Sequence, residues 1–135
     1  MNLYIGVESV KSGKSTLHQV ALWDEYGTEL IPPRPAFRMG GERAVKKNSK
    51  LIQGYMNNML RAAFHGKNAR QISNRRENVL LTQIGRSAVK EVMGIIKNKE
   101  TVSNAPATIR KKGFDWPLRD KGILENNIAY LVEDK

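Results

Sequence analysis

Gly13-Lys14-Ser15 matches the last three residues of a P-loop, and it follows an apolar, strand-like opening from Asn2 to Val7. A P-loop wraps its backbone amides around phosphate oxygens, and its pattern G-x-x-x-x-G-K places another glycine at a fixed distance upstream. That position is Glu8, whose carboxylate would stand where a phosphate must sit, and Gly6 lies too far back. The stretch after Ser15 is short before the next turn, so no long helix offers its amino end to an anion. The fragment reads instead as a polar turn leading out of the first strand. His18 and His65 are the two histidines. Neither has a second ligand-type side chain at metal spacing on a shared helix face, so both read as structural or solvent-facing. Asp24-Glu25 and Glu133-Asp134 are adjacent carboxylates at element ends, and adjacent side chains seldom converge on one substrate. No G-x-S-x-G elbow is present. The absence of cysteine removes thiol nucleophiles, disulfides and zinc–thiolate sites. No catalytic, cofactor or metal set emerges, and the chain is expected not to be an enzyme.

What stands out is charge. The 135 residues carry a formal net charge of +10. Residues 1–31 hold two lysines and four acids, whereas residues 32–76 hold eleven Lys/Arg and the single acid Glu42. A basic face of this kind attracts nucleic acid, an acidic protein or the neighbouring subunit of an assembly, and the bland alternative is a solvated helix face. The length suits one domain spanning 1–135. No apolar run approaches the roughly eighteen residues of a membrane span, and the amino end lacks a signal-peptide pattern. The expectation is a soluble protein.

The elements that must position these charges follow from periodicity. Leu3, Ile5 and Val7 alternate with Tyr4 as a strand does. Leu17, Val20, Ala21 and Trp23 have helical spacing, with a glycine stop at Gly27. Pro32, Pro33 and Pro35 force an extended connector, expected to end in an edge strand around Ala36–Arg38, with Gly40-Gly41 breaking the chain again. A long helix is expected from about Glu42 to Phe64, with Ile52, Tyr55, Met56, Met59, Leu60 and Ala63 as its apolar stripe. Residues 65–74 read as a loop, with Ser73 or Asn74 capping a second helix from about Arg75 to Asn98. Leu81, Ile84, Ala88, Val92 and Ile95 line that helix, widened by Leu80, Val89 and Ile96. Ile128, Tyr130 and Val132 mark a closing strand. The fold class expected is α+β, a small antiparallel β-sheet packed against two long antiparallel α-helices.

Two segments together resemble one family. Val20 to Arg38, "VALWDEYGTELIPPRPAFR", carries a short alanine-containing helix, then "EYGT", then "IPPRPAF". Asn104 to Val132 carries Thr108-Ile109, Lys112-Gly113 with Phe114, Pro117-Leu118, Asp120-Lys121-Gly122, then Leu124 and "IAYLV". In that order they resemble the neck and tail-completion proteins of tailed bacteriophages, among them the virion-morphogenesis proteins of Mu-like phages. Lys121 stands where threonine is common in relatives, and Ala36 separates Pro35 from Phe37, which often adjoin. These departures bear on subtype.

The resemblance implies a structural virion protein at the head–tail connector or tail-completion ring, made in the host bacterial cytoplasm. It implies self-assembly into a ring, a hexamer matching the tail's symmetry, beside neighbouring neck and tail proteins and close to genomic DNA, with no membrane and no cofactor. Terminator, stopper and completion roles stay open. The stiff proline segment would hold Arg34, Phe37 and Arg38 in fixed directions, or else form a rigid loop packing on its own domain. Lys46, Lys47 and Lys50 would present the basic face. Phe114 and Trp116 would offer apolar loop surface. The alternative is a free basic protein that binds nucleic acid.

Overall fold

The structure, a computed structural model, describes residues 1–8, 11–12, 15–66, 69–101, 109–110 and 123–133. Its elements are β1 (Asn2–Val7), β2 (Lys11–Ser12), β3 (Ser15–Thr16), α1 (Leu17–Tyr26), α2 (Ala36–Lys47), α3 (Ser49–Phe64), α4 (Ala69–Lys97), α5 (Ile123–Asn126) and β4 (Ile128–Glu133). The class is α+β, dominated by helix, with a two-stranded antiparallel sheet of β1 and β4. Its register pairs Leu3 with Val132, Ile5 with Tyr130 and Val7 with Ile128. These inward residues pack on the helices, while Tyr4 pairs with Leu131 on the exposed face. The period-2 alternation read in both segments is therefore the real sheet pattern.

α4 is the central element. Ile84, Ala88, Val92, Ile95 and Ile96 are its buried residues among the large and small apolars, as the stripe predicted. Against it α2 lays a stripe of small residues, Ala36, Gly40 and Ala44, all buried, and continued by Asn48. A side chain on Gly40 would run into Val92. The small stripe thus lets the two helix backbones approach closely. Gly85 does the same for the sheet, since a Cβ there would lie 2.6 Å from the Tyr130 ring. Two core clusters result. One joins Leu17, Ala36, Val92, Ile95, Ile96 and Leu124. The other joins Ala44, Ile84 and Ala88, flanked by Leu3, Ile5, Ile52 and Leu80.

Several expectations are corrected. Ala36–Arg38 is not an edge strand but the first turn of α2. Proline is tolerated at a helix start, because its missing amide is one the helix leaves unpaired anyway. The first-turn amides of Phe37 and Arg38 instead donate to the Glu25 carboxylate of α1, at 3.0 and 2.9 Å. Gly40-Gly41 does not break the chain but lies inside α2, where tight packing on α4 offsets the entropic cost of glycine.

The single helix expected over Glu42–Phe64 is two helices, α2 and α3, interrupted at Asn48. The buried Asn48 amide donates to the Ala44 carbonyl at 2.7 Å, the kind of side-chain bond that competes with the helical ladder. α4 also starts at Ala69, so residues 69–74, expected as loop, are helical. The main helices are therefore α2, α3 and α4, rather than the two long helices expected. Residues 102–108 and 111–122, which include Phe114 and Trp116, lie outside the described residues.

Candidate interaction surface

The proline-rich motif is anchored before it reaches any surface. Gly27 caps α1 with φ 74 and ψ 174, a conformation close to glycine-only. A Cβ there would sit 2.7 Å from the Ile31 carbonyl oxygen and 2.8 Å from the Pro33 nitrogen. The Thr28 hydroxyl accepts from the Ile31 amide at 3.1 Å, and the Thr28 amide donates to the Ile31 carbonyl at 2.8 Å. Arg34 donates its amide to the Asp24 carbonyl at 2.5 Å, and its side chain is buried. The "EYGT" and "IPPRPAF" segments thus form one knot joining the end of α1 to the start of α2. Ala21, Ala36 and Phe37 from this knot meet Leu124 and Ile128 from the second motif block in one core cluster. The first block and the described end of the second, Leu124 and Ile128, are distant in sequence and adjacent in space.

The candidate residues separate accordingly. Arg34 faces the domain interior, and Phe37 is half-buried. Arg38 is exposed and borders a groove of about 490 Å3 between β1, α1 and α2, together with Ile5, Leu22, Tyr26 and Phe37. Lys46 and Lys50 are exposed on α2 and α3. Lys47 is tied to Glu91 of α4 in an ion pair.

The polar fragment around Gly13 leaves its flanks paired, Lys11 with Thr16 and Ser12 with Ser15. At the start of α1 the Thr16 hydroxyl accepts from the Gln19 amide, and the Gln19 side chain accepts from the Thr16 amide. This capping box occupies amide groups that an anion would need. His18 Nε2 donates to the Val7 carbonyl, 2.9 Å away, and so fastens α1 to β1. His65 is exposed at the end of α3. Among the described residues no three His, Cys, Asp or Glu cluster as metal ligands. No helix among them is long and apolar enough to cross a membrane.

Two features were not legible in the sequence reading. The first is an arrangement of acids. Glu77, Glu91 and Glu100 pair with the Met1 amino group, Lys47 and Arg43. Arg75, Arg76, Arg86, Lys90 and Lys97 of α4 are exposed, with no ion-pair partner among the described residues. α4 carries six Lys/Arg against two acids, Glu77 and Glu91, and both acids pair with groups outside α4. The second is exposure of apolar surface. α3 has no buried residue at all, although its stripe is strongly amphipathic in pattern. Met56, Leu60 and Phe64 stand exposed on it, and Leu22, Trp23, Tyr26 and Leu30 stand exposed on and after α1. Large apolar side chains gathered in this way mark interaction surfaces.

Comparison with protein-family models, curated proteins and solved structures finds no match to this chain.

Proposed function

We propose that this chain is a structural virion protein of a tailed phage, part of the head–tail connector or tail-completion ring, with no catalytic role. The carrying observation is the outer side of α3, where Met56, Leu60 and Phe64 stand exposed while Ile52 packs on the core. Those three side chains lack a cover among the described residues. The two motif blocks supply the phage-specific part of the reading, and Leu124 and Ile128 at the end of the second share a core cluster with Ala36 and Phe37 of the first. We read α2 and α3 as one arm bent at Asn48, set antiparallel to α4, which preserves the two-arm layout expected from the sequence. The ring, a hexamer in this reading, would turn its exposed cations toward acidic surfaces of adjacent neck proteins or toward genomic DNA.

Interrupting the gene in its phage and imaging the lysate tests the role. Filled heads beside unattached tails are expected. Normal infectious particles would overturn it.

The alternative, a free nucleic-acid-binding protein, draws on the exposed Arg75, Arg76, Arg86, Lys90 and Lys97. A protein using those cations on phosphates loses duplex affinity steeply as salt rises, whereas a ring protein with only incidental DNA proximity binds duplex weakly at modest salt.

A further inference from the structure

Among the described residues, α1 and α3 each expose an apolar face, and the charges beside the two are opposite. On the first, Leu22, Trp23 and Tyr26 line the outer side of α1, and Leu30 follows at 95% exposure. Leu22 and Tyr26 line the groove between β1, α1 and α2. α1 contains no lysine or arginine, and its Glu25 carboxylate already accepts from the first turn of α2. Glu8, next to Val7 of the groove, and Glu29, next to Leu30, are exposed carboxylates. Among the described residues, Arg38 is the one Lys or Arg bordering the groove.

On the second face, Met56, Leu60 and Phe64 recur at helical i, i+4, i+8 spacing, with Phe64 at 87% exposure. α3 contains Lys50 and Arg61 and no acid.

We infer that α3 of one copy docks its Met56–Leu60–Phe64 stripe into the α1 groove of the next copy. Anchors at this spacing are the signature of a helix seated in an apolar groove. The occupant is a second copy because the chain itself carries both halves of the match, apolar with apolar and basic with acidic. A symmetric pairing of α3 with α3 would set Lys50 and Arg61 against their own kind, and α1 with α1 would oppose carboxylates. Only the head-to-tail contact joins unlike charges. A contact of this type leaves one free face at each end and continues until a ring closes. The inference rests on the ring reading above and specifies which surfaces build it.

Sedimentation of the purified full chain over a range of concentrations tests it. The wild type is expected to form species larger than a dimer, weakening with salt. One variant carries Leu60→Glu with Phe64→Glu, and the other carries Leu22→Glu with Tyr26→Glu. Each alone is expected to be monomeric, its self-association weakened by about tenfold or more. Mixed in equal amounts, they are expected to form a one-to-one dimer and nothing larger, since one intact α1 face meets one intact α3 face.

Circular dichroism checks that the helices persist, and glutamine versions of the same substitutions replace any variant that loses them. A wild-type chain that stays monomeric to millimolar concentration overturns the inference. So does dimerisation by either variant alone, which would mean a symmetric contact, or assembly unchanged by both. Failure here with heads and tails still unjoined in the gene interruption would remove this contact and leave the virion role. Head-to-tail assembly with normal phage particles would do the reverse.

Discussion

Gly27 combines a backbone conformation that side chains avoid with contacts that a side chain would violate. Gly27→Ala is therefore expected to lower stability by at least about 1–3 kcal/mol, read as a fall in the urea midpoint at unchanged m-value. Lys99 shows the opposite opportunity. It ends α4 with φ 55, while the Glu100 amide donates to the Ile95 carbonyl at 3.1 Å. Glycine is the residue this cap favours, so Lys99→Gly is expected to stabilise the fold by up to about 1 kcal/mol in the same assay. Glu100 in turn meets Arg43 through two bonds of 2.9 and 3.0 Å. The Arg43 hydrogen bonds, aided by its charge, hold the Glu100 carboxyl below its ordinary value of 4.5. A depressed carboxyl stabilises the fold above the ordinary value, and that contribution is lost as pH falls through the folded one. Glu100→Gln should melt slightly below wild type at neutral pH and coincide with it in acid. A gap that widens on acidification would contradict the assignment. The effect is small because both side chains are about a third exposed, at 38% and 33%.

At the scale of elements, α2 depends on α1 in a way that local sequence does not reveal. Glu25 caps it from a distance of twelve residues, while Pro35 at the cap position makes no side-chain bond. Glu25→Ala is expected to cost about 0.5–2 kcal/mol, the range for losing a capping side chain. The crossing of α2 over α4 depends on absence of bulk. Gly40→Ala drives a methyl group into Val92 and the α4 backbone, and overpacking of this kind costs about 1–3 kcal/mol. Thermal melts of the two variants check both. Gly41, whose added Cβ would meet nothing, is the control expected to show no such loss. Sequence patterning recovered α1, β1, β4 and the buried stripe of α4 because each follows a simple apolar period. It missed the start of α2 because proline and glycine were read by their usual local meaning. Here Pro35 begins a helix and Gly40 serves a helix crossing.

For the whole molecule, charge distribution matters more than its total. Reversing Lys46 and Lys50 to glutamate is expected to block particle assembly while leaving the melting curve near wild type, since both are exposed. Lys47 is a poor third choice, because a carboxylate there would face Glu91. Unchanged particle yield from the double reversal would count against a role for this face in assembly.

The amino-acid order by itself determined the α+β class, the strand faces and the apolar side of α4, since these depend on periods that a short window contains. It also displayed the basic surplus, which is a matter of counting. Only the tertiary structure decided which of those charges remain unpaired, because ion pairs such as Arg43 with Glu100 join residues far apart in the chain. It likewise decided that Met56, Leu60 and Phe64 of the α3 stripe face outward while Ile52 packs on the core. Periodicity states that a helix has an apolar side, but burial requires another surface to meet it, and the helices that meet α4 most closely do so through small residues elsewhere.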